Sequence, residues 1–218
     1  MSRLALFDLD NTLLAGDSDH AWGDWLVERG IVDGRHYKET NDRFYQDYLA
    51  GRLDILAYLA FTLQVLSEHP LERLQAWHRE FMRERVEPMV LPAAVELVDA
   101  HRRAGDVLVI ITATNDFVTA PIAARFGVHH LIATRAELHN DRYTGRVAGT
   151  PCYKDGKVIR LKEWLHAHPH TLENSVFYSD SHNDIPLLSM VDNAVAVDPD
   201  ETLRREAQLR GWEVRSLR

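Results

Sequence analysis

Five short runs, apolar on both faces, constrain this chain most: Leu4–Leu9, Val107–Ile111, Leu131–Ala133, Val176–Tyr178 and Ala194–Val197. A strand with one wet face alternates apolar and polar residues. A run that is apolar throughout must be covered on both sides, as in a parallel sheet flanked by helices. Helical patterns lie between the runs. Ala93–Arg103 places Ala94, Val95, Leu97 and Val98 on one stripe, and Gly105 supplies a C-terminal stop. Lys157–His168 does the same with Val158, Leu161, Trp164 and Leu165 before Pro169 ends it. Strands alternating with helices predict an α/β fold with an open, mostly parallel, Rossmann-like sheet.

From Asp17 to Arg85 that rhythm stops. Trp22, Trp25 and Leu26 share a helical face, as do Ile55, Leu56, Leu59 and Leu63, and then Leu74, Trp77, Phe81 and Arg85. Gly30, Gly34, Gly51 and Pro70 punctuate these patterns. The expectation is an all-helical domain, residues 17–85, inserted into an α/β core made of 1–16 and 86–218. Arg135–Tyr153 carries turn signals at Asn140-Asp141 and Thr144-Gly145 between short alternating runs, which predicts a β-hairpin.

The chain has 218 residues, enough for one sizeable core with a smaller appended domain. At 45% hydrophobic and 27% charged it has a globular composition, not a disordered one. Net charge is −8 and no Lys/Arg block stands out, which argues against nucleic acid or an anionic membrane as partner. Cys152 is the single cysteine, so no internal disulfide ties the chain to an oxidising compartment. The N-terminus meets Asp8 too soon for a signal peptide. The longest apolar stretch, Ile55–Phe61, falls far short of the roughly 20 residues a membrane helix needs. A cytoplasmic protein is expected.

The residues with chemistry sit at strand ends. Asp8 and Asp10, two apart after the first run, would point to the same face of the crevice at the carboxyl ends of the strands; Asp8 and Asn11 are also turn formers. Thr112, after Val107–Ile111, offers a hydroxyl to a phosphate oxygen or an N-cap to a helix. Asp180 and Asp184 follow Val176–Tyr178. They either share a face with a cation between them or divide into an N-cap and a surface acid. Hard Mg²⁺ suits such oxygen ligands. Lys157 opens a helix, where a cation opposes the helix dipole unless it faces bound anions. The other reading is a solvated surface lysine, and Lys154 competes with it.

In this order the motifs resemble those of the haloacid dehalogenase superfamily: Asp-x-Asp-x-Thr, a Ser/Thr at a strand end, a Lys, and an Asp pair. Phe7-Asp8-Leu9-Asp10-Asn11-Thr12-Leu13 matches the first, and Asp180-Ser181-His182-Asn183-Asp184 matches the last. The resemblance spans nearly the whole chain. The helical insertion looks like the family's cap, and the phosphoserine-phosphatase-like branch is most similar. The resemblance implies an Mg²⁺-dependent phosphatase of small phosphomonoesters with Asp8 as nucleophile and Asp10 as general acid/base. Thr112, Ala113, Lys157 and Asn183 are similar to the phosphate holders. Asp8, Asp180 and the main-chain carbonyl of Asp10 are similar to the metal ligands, and Asp184 to a supporting group. Dehalogenating members lack the second acid, so Asp10 favours phosphate chemistry. A phosphotransferase and a non-enzymatic phospho-ligand module are the alternatives. The expected partners are a small phosphorylated metabolite and, as an option, a second copy in a homodimer.

Two departures bear on substrate. Where phosphoserine enzymes carry Ser-Gly-Gly, this chain has Thr112-Ala113-Thr114. Those enzymes hold the substrate amine with an acid nine positions after the nucleophile, here Asp17 with Asp19 close by. They grip the carboxylate with a cap arginine, yet Leu53–Leu66 contains none, although Arg52 lies next to it. The expected substrate is therefore an amino-alcohol phosphate such as histidinol phosphate, ahead of phosphoserine. Asp17 is equally suited to capping the first inserted helix.

Overall fold

The computed structural model describes residues 3–218. Strand β1 (Leu4–Phe7) is followed by helices α1 (Ser18–Glu28), α2 (Gly34–Leu49), α3 (Ile55–Glu68) and α4 (Leu71–Phe81). The last continues through a π-turn at Met82–Val86 into α5 (Glu87–Met89). Then come α6 (Pro92–Arg103), β2 (Val107–Asn115), α7 (Asp116–Arg125), β3 (His130–Thr134) and the hairpin strands β4 (Ala136–His139) and β5 (Arg142–Val147). The chain closes with α8 (Asp155–Ala167), β6 (Val176–Ser179), α9 (Ile185–Leu188), β7 (Asn193–Val197), α10 (Glu201–Arg210) and β8 (Glu213–Arg215).

The main sheet has the order β3-β2-β1-β6-β7-β8, with every pairing parallel. The chain winds outward from β1 to β3, returns, and continues on the other side through β6. This topology opens a crevice beyond the carboxyl ends of β1 and its neighbours. Both faces are covered, which is why the runs are apolar throughout. Leu4, Leu6, Val109, Ile111 and Phe177 face Leu161, Leu187 and Leu203 on one side. Ala5, Phe7, Leu108, Ile110 and Tyr178 face Ala94, Val98 and Ile122 on the other.

Between Ser18 and Met89 the described residues form helices and no strand. An inserted helical cap on an α/β core is thus the architecture. The base of the cap is rooted in the core through rings. Trp22 of α1 meets Phe117 of α7 at 5.6 Å, and His78 of α4 meets it at 5.2 Å. His78 Nε2 also donates to the Val118 carbonyl at 2.9 Å. The tip docks on the opposite side of the crevice, where Lys154 Nζ donates to the Gly51 carbonyl at 2.7 Å. Gly51 has φ +67, where a side chain is strained, and a Cβ there would lie 2.5 Å from His182 Nε2, so glycine suits this contact.

The structure moves several expected boundaries. β2 runs on to Asn115, with a register shift against β3 between Ile111 and Asn115. Asn115 caps α7 by accepting from Val118 N, and Thr112 does not. Helix α8 starts at Asp155, so Lys157 lies in its first turn. Strand β8 escapes a search for apolar runs because its residues are Glu213-Val214-Arg215 at the sheet edge. Among the described residues no helix is long and apolar enough to cross a membrane.

Candidate active site

Asp8 leaves the end of β1 with its backbone N–H held by the Tyr178 carbonyl at 2.9 Å. The chain then turns back at Asn11, whose φ of +57 suits asparagine better than most side chains. This turn brings Asp8, Asp10 and Thr12 to one place, all buried. Lys157 reaches in from α8 and donates to Asp8 Oδ1 at 2.8 Å and to Asp184 Oδ2 at 2.7 Å. Ser179 donates to the same Asp184 oxygen at 2.7 Å. Asp180 accepts from the Thr12 hydroxyl at 2.9 Å. Asp10 accepts from Ser18 N at 2.6 Å and from the Thr114 hydroxyl at 2.8 Å.

The lysine ambiguity is resolved by position. Lys154 has φ +50 and ψ −122, outside the region an L-residue prefers, and its ammonium is turned to the cap at Gly51. Gly156 lets the next turn start tightly, since a Cβ there would lie 2.0 Å from the Pro151 carbonyl. Lys157 then points inward. Burial acts to lower its pKa, but Asp184 and Asp8 outweigh this and hold it above the ordinary lysine value.

The carboxylates outnumber that one ammonium. Burial pushes the Asp8 pKa up to about 7, opposed by Lys157 and reinforced by Asp184 and Asp10. Burial and then Asp17 push Asp10 to about 7, while Ser18 and Thr114 pull it down. Asp180 is raised well above the usual range by burial and by Asp8. A crowded set of hard oxygen donors whose anions are disfavoured for want of positive charge fits a divalent cation such as Mg²⁺. A second acidic group, His20, Asp24 and Asp42, fits one less well. Lys38 Nζ already lies 3.2 Å from Asp24 and 3.3 Å from Asp42.

A cleft rises from this floor. Asp8, Asp10, Thr112, Ala113 and Thr114 line it from the core, and Asp17, Asp19, Phe44, Tyr45, Tyr48 and Tyr58 line it from the cap side. Among the described residues no lysine or arginine lines its cap wall. Arg52 is exposed and paired with Asp47 at 2.8 Å. Asn183 instead ties the rim together: its Oδ1 accepts from Tyr153 at 3.2 Å and its Nδ2 donates to the Tyr48 carbonyl at 3.4 Å. Asp17 is the N-cap of α1, accepting from Asp19 N and His20 N. Sequence reasoning assigned no role to Thr114. Its only signal was the hydroxyl standing where the related enzymes have glycine.

The chain matches known proteins over its whole length. A histidinol-phosphatase of Neisseria meningitidis serogroup C is 45% identical over 98% of both chains. A phosphoserine phosphatase of Mycobacterium tuberculosis is 32% identical over 100% of this chain and 72% of its own. A crystal structure of a protein of unknown function from Bordetella pertussis Tohama I superposes with a TM-score of 0.94, is 46% identical and covers 100% of both chains. The sequence pattern of the haloacid dehalogenase-like hydrolases matches residues 5–189. The chain belongs to the haloacid dehalogenase-like hydrolase family.

Proposed function

We propose that this phosphatase hydrolyses a small amino-alcohol phosphate, such as histidinol phosphate, through an aspartyl-phosphate on Asp8. The observation that carries this reading is the cleft itself. An Asp8–Lys157 pair lies at its floor, and its cap wall is acidic and aromatic with no lysine or arginine. A substrate carboxylate would lose its hydration there and gain no cationic partner, at a cost of several kcal/mol. A substrate ammonium would meet acids and ring faces. The Neisseria relative bears the name of such an activity.

Asp8 Oδ1 is held by Lys157, so Oδ2 is the oxygen that attacks phosphorus as the ester P–O bond breaks. Asp10, with a pKa near neutrality, gives its proton to the leaving alkoxide. The resulting Asp10 carboxylate then takes a proton from water, whose oxygen attacks the aspartyl-phosphate and frees Asp8. Thr114 and Ser18 N hold the Asp10 carboxyl in place for both transfers. Thr112, Lys157 and the backbone at Ala113 are assigned to the phosphate oxygens. Asp8, Asp180 and the main-chain carbonyl of Asp10 would hold Mg²⁺, which supplies positive charge against the phosphate dianion. Residues 17–85 act as the cap that excludes water and selects substrate.

The test is phosphate release from histidinol phosphate, phosphoserine and unrelated phosphomonoesters with Mg²⁺, in water alone and with an acceptor alcohol. The expected result is highest kcat/KM for histidinol phosphate and full phosphate release in water. A preference for phosphoserine would overturn the substrate assignment. Turnover that needs the acceptor would make the protein a phosphotransferase.

A further inference from the structure

The carboxylate nine positions after Asp8 is held at a helix start. Asp17 uses Oδ1 to cap α1, accepting from Asp19 N at 3.0 Å and His20 N at 2.8 Å. Asp19, two residues further on in the first turn of α1, is 4% exposed. Its Oδ1 accepts from Asn115 Nδ2 at 3.3 Å, and its Oδ2 is buried with no hydrogen-bond partner. Burial pushes the Asp19 pKa up to about 7, opposed by the Tyr58 hydroxyl beside it, which favours the anion without completing a hydrogen bond of normal geometry to Oδ2. A buried carboxylate oxygen without a donor is costly, and native structures rarely leave one so. Among the described residues no lysine or arginine of the cap lines the cleft beside it, so a ligand that brings a cation would supply the partner that Oδ2 lacks.

We propose that Asp19 Oδ2, and not Asp17, receives the protonated amine of the substrate, with Asn115 fixing the carboxylate from behind. This rests on the amino-alcohol phosphate reading above. Asn115 is placed for the task by two ties: its Oδ1 caps α7 at Val118 N, and its Nδ2 is left for Asp19. Asp19 therefore couples the cap helix α1 to the strand that carries Thr112–Thr114. The phenyl and phenol faces of Phe44, Tyr45 and Tyr58 around the same space favour a cation further.

The experiment compares kcat/KM for histidinol phosphate with that for its amine-free counterpart, 3-(imidazol-4-yl)propyl phosphate. Wild type, Asp19→Asn, Asp19→Glu and Asp17→Asn are measured. The ratio cancels any general damage to the site, which a merely structural role would cause. Wild type should prefer the amine-bearing substrate by about 30-fold or more, the least expected for a desolvated charge pair. Asp19→Asn should bring the ratio close to one, and Asp19→Glu should lower it partway. Asp17→Asn should keep the ratio, and Tm with it, because an asparagine side-chain oxygen caps a helix about as well as aspartate does. A wild-type ratio in Asp19→Asn or in Asp19→Glu, or its collapse in Asp17→Asn alone, overturns the assignment and leaves the substrate class standing. A wild-type ratio near one overturns the substrate class and the assignment together.

Discussion

Replacing Lys157 by methionine keeps an unbranched side chain, one atom shorter, and removes its charge. The structure makes that removal expensive. Lys157 is 3% exposed and bridges Asp8 and Asp184 at 2.8 and 2.7 Å. Breaking a buried pair by deleting one partner costs about 3–5 kcal/mol, because the other charge is left unpaired. A whole domain is held by only about 5–15 kcal/mol. The cost depends on pH, and its sign follows from the pKa. Asp8 titrates near 3.8 when unfolded and is raised to about 7 in the fold. A group so raised contributes stability that is complete below its unfolded pKa and is lost as pH climbs through its folded value. Without the ammonium the folded value rises further, and each added unit is worth ~1.4 kcal/mol above that value. The deficit of Lys157→Met should therefore be about 1–2 kcal/mol near pH ~5 and about 3–5 kcal/mol near pH ~8. Urea unfolding of both proteins in chelator at those two pH values measures it. Equal deficits at both, or a deficit under about 1 kcal/mol at the higher pH, would refute the reasoning.

Asp8→Asn should remove turnover while far-ultraviolet circular dichroism and Tm show a retained fold; near-normal turnover would exclude Asp8 as nucleophile. Asp10→Asn should slow kcat by about 10²–10⁴-fold, with Mg²⁺ affinity by calorimetry preserved. Loss of affinity with kcat intact at saturating metal would assign Asp10 to the metal instead. Thr114→Val removes a 2.8 Å hydrogen bond to Asp10 and should lower kcat by about 10-fold or more with little change in KM, the worth of a hydrogen bond to a charged group. Excess chelator should abolish phosphate release, and Mg²⁺ should restore it.

Much of this architecture was legible in the sequence because it depends on local pattern. Leu4, Leu6, Val109 and Ile111 alternate with Ala5, Phe7, Leu108 and Ile110 between two covered faces, so both sets are apolar and the parallel sheet follows. The helical stripes of Trp22, Trp25 and Phe81 likewise announced the cap. Motif order gave the candidate site. Strand β8 was not legible, since an edge strand of Glu213-Val214-Arg215 needs no continuous apolar run.

Tertiary structure alone decided which of several chemically equal residues faces which partner. Lys154 and Lys157 are interchangeable by composition. A positive φ at Lys154 and the missing Cβ of Gly156 send one to the cap and the other to Asp8, which lies 149 positions away in the chain. Asp17 and Asp19 both suit an amine, and the start of α1 consumes Asp17 as its cap. Thr114 became a partner of Asp10 only because β1 and β2 lie side by side, which brings together groups 104 positions apart. Local sequence sets what a segment forms, through propensity and period. Side-chain pairing across such distances is set by backbone direction and strand register, which no single segment encodes.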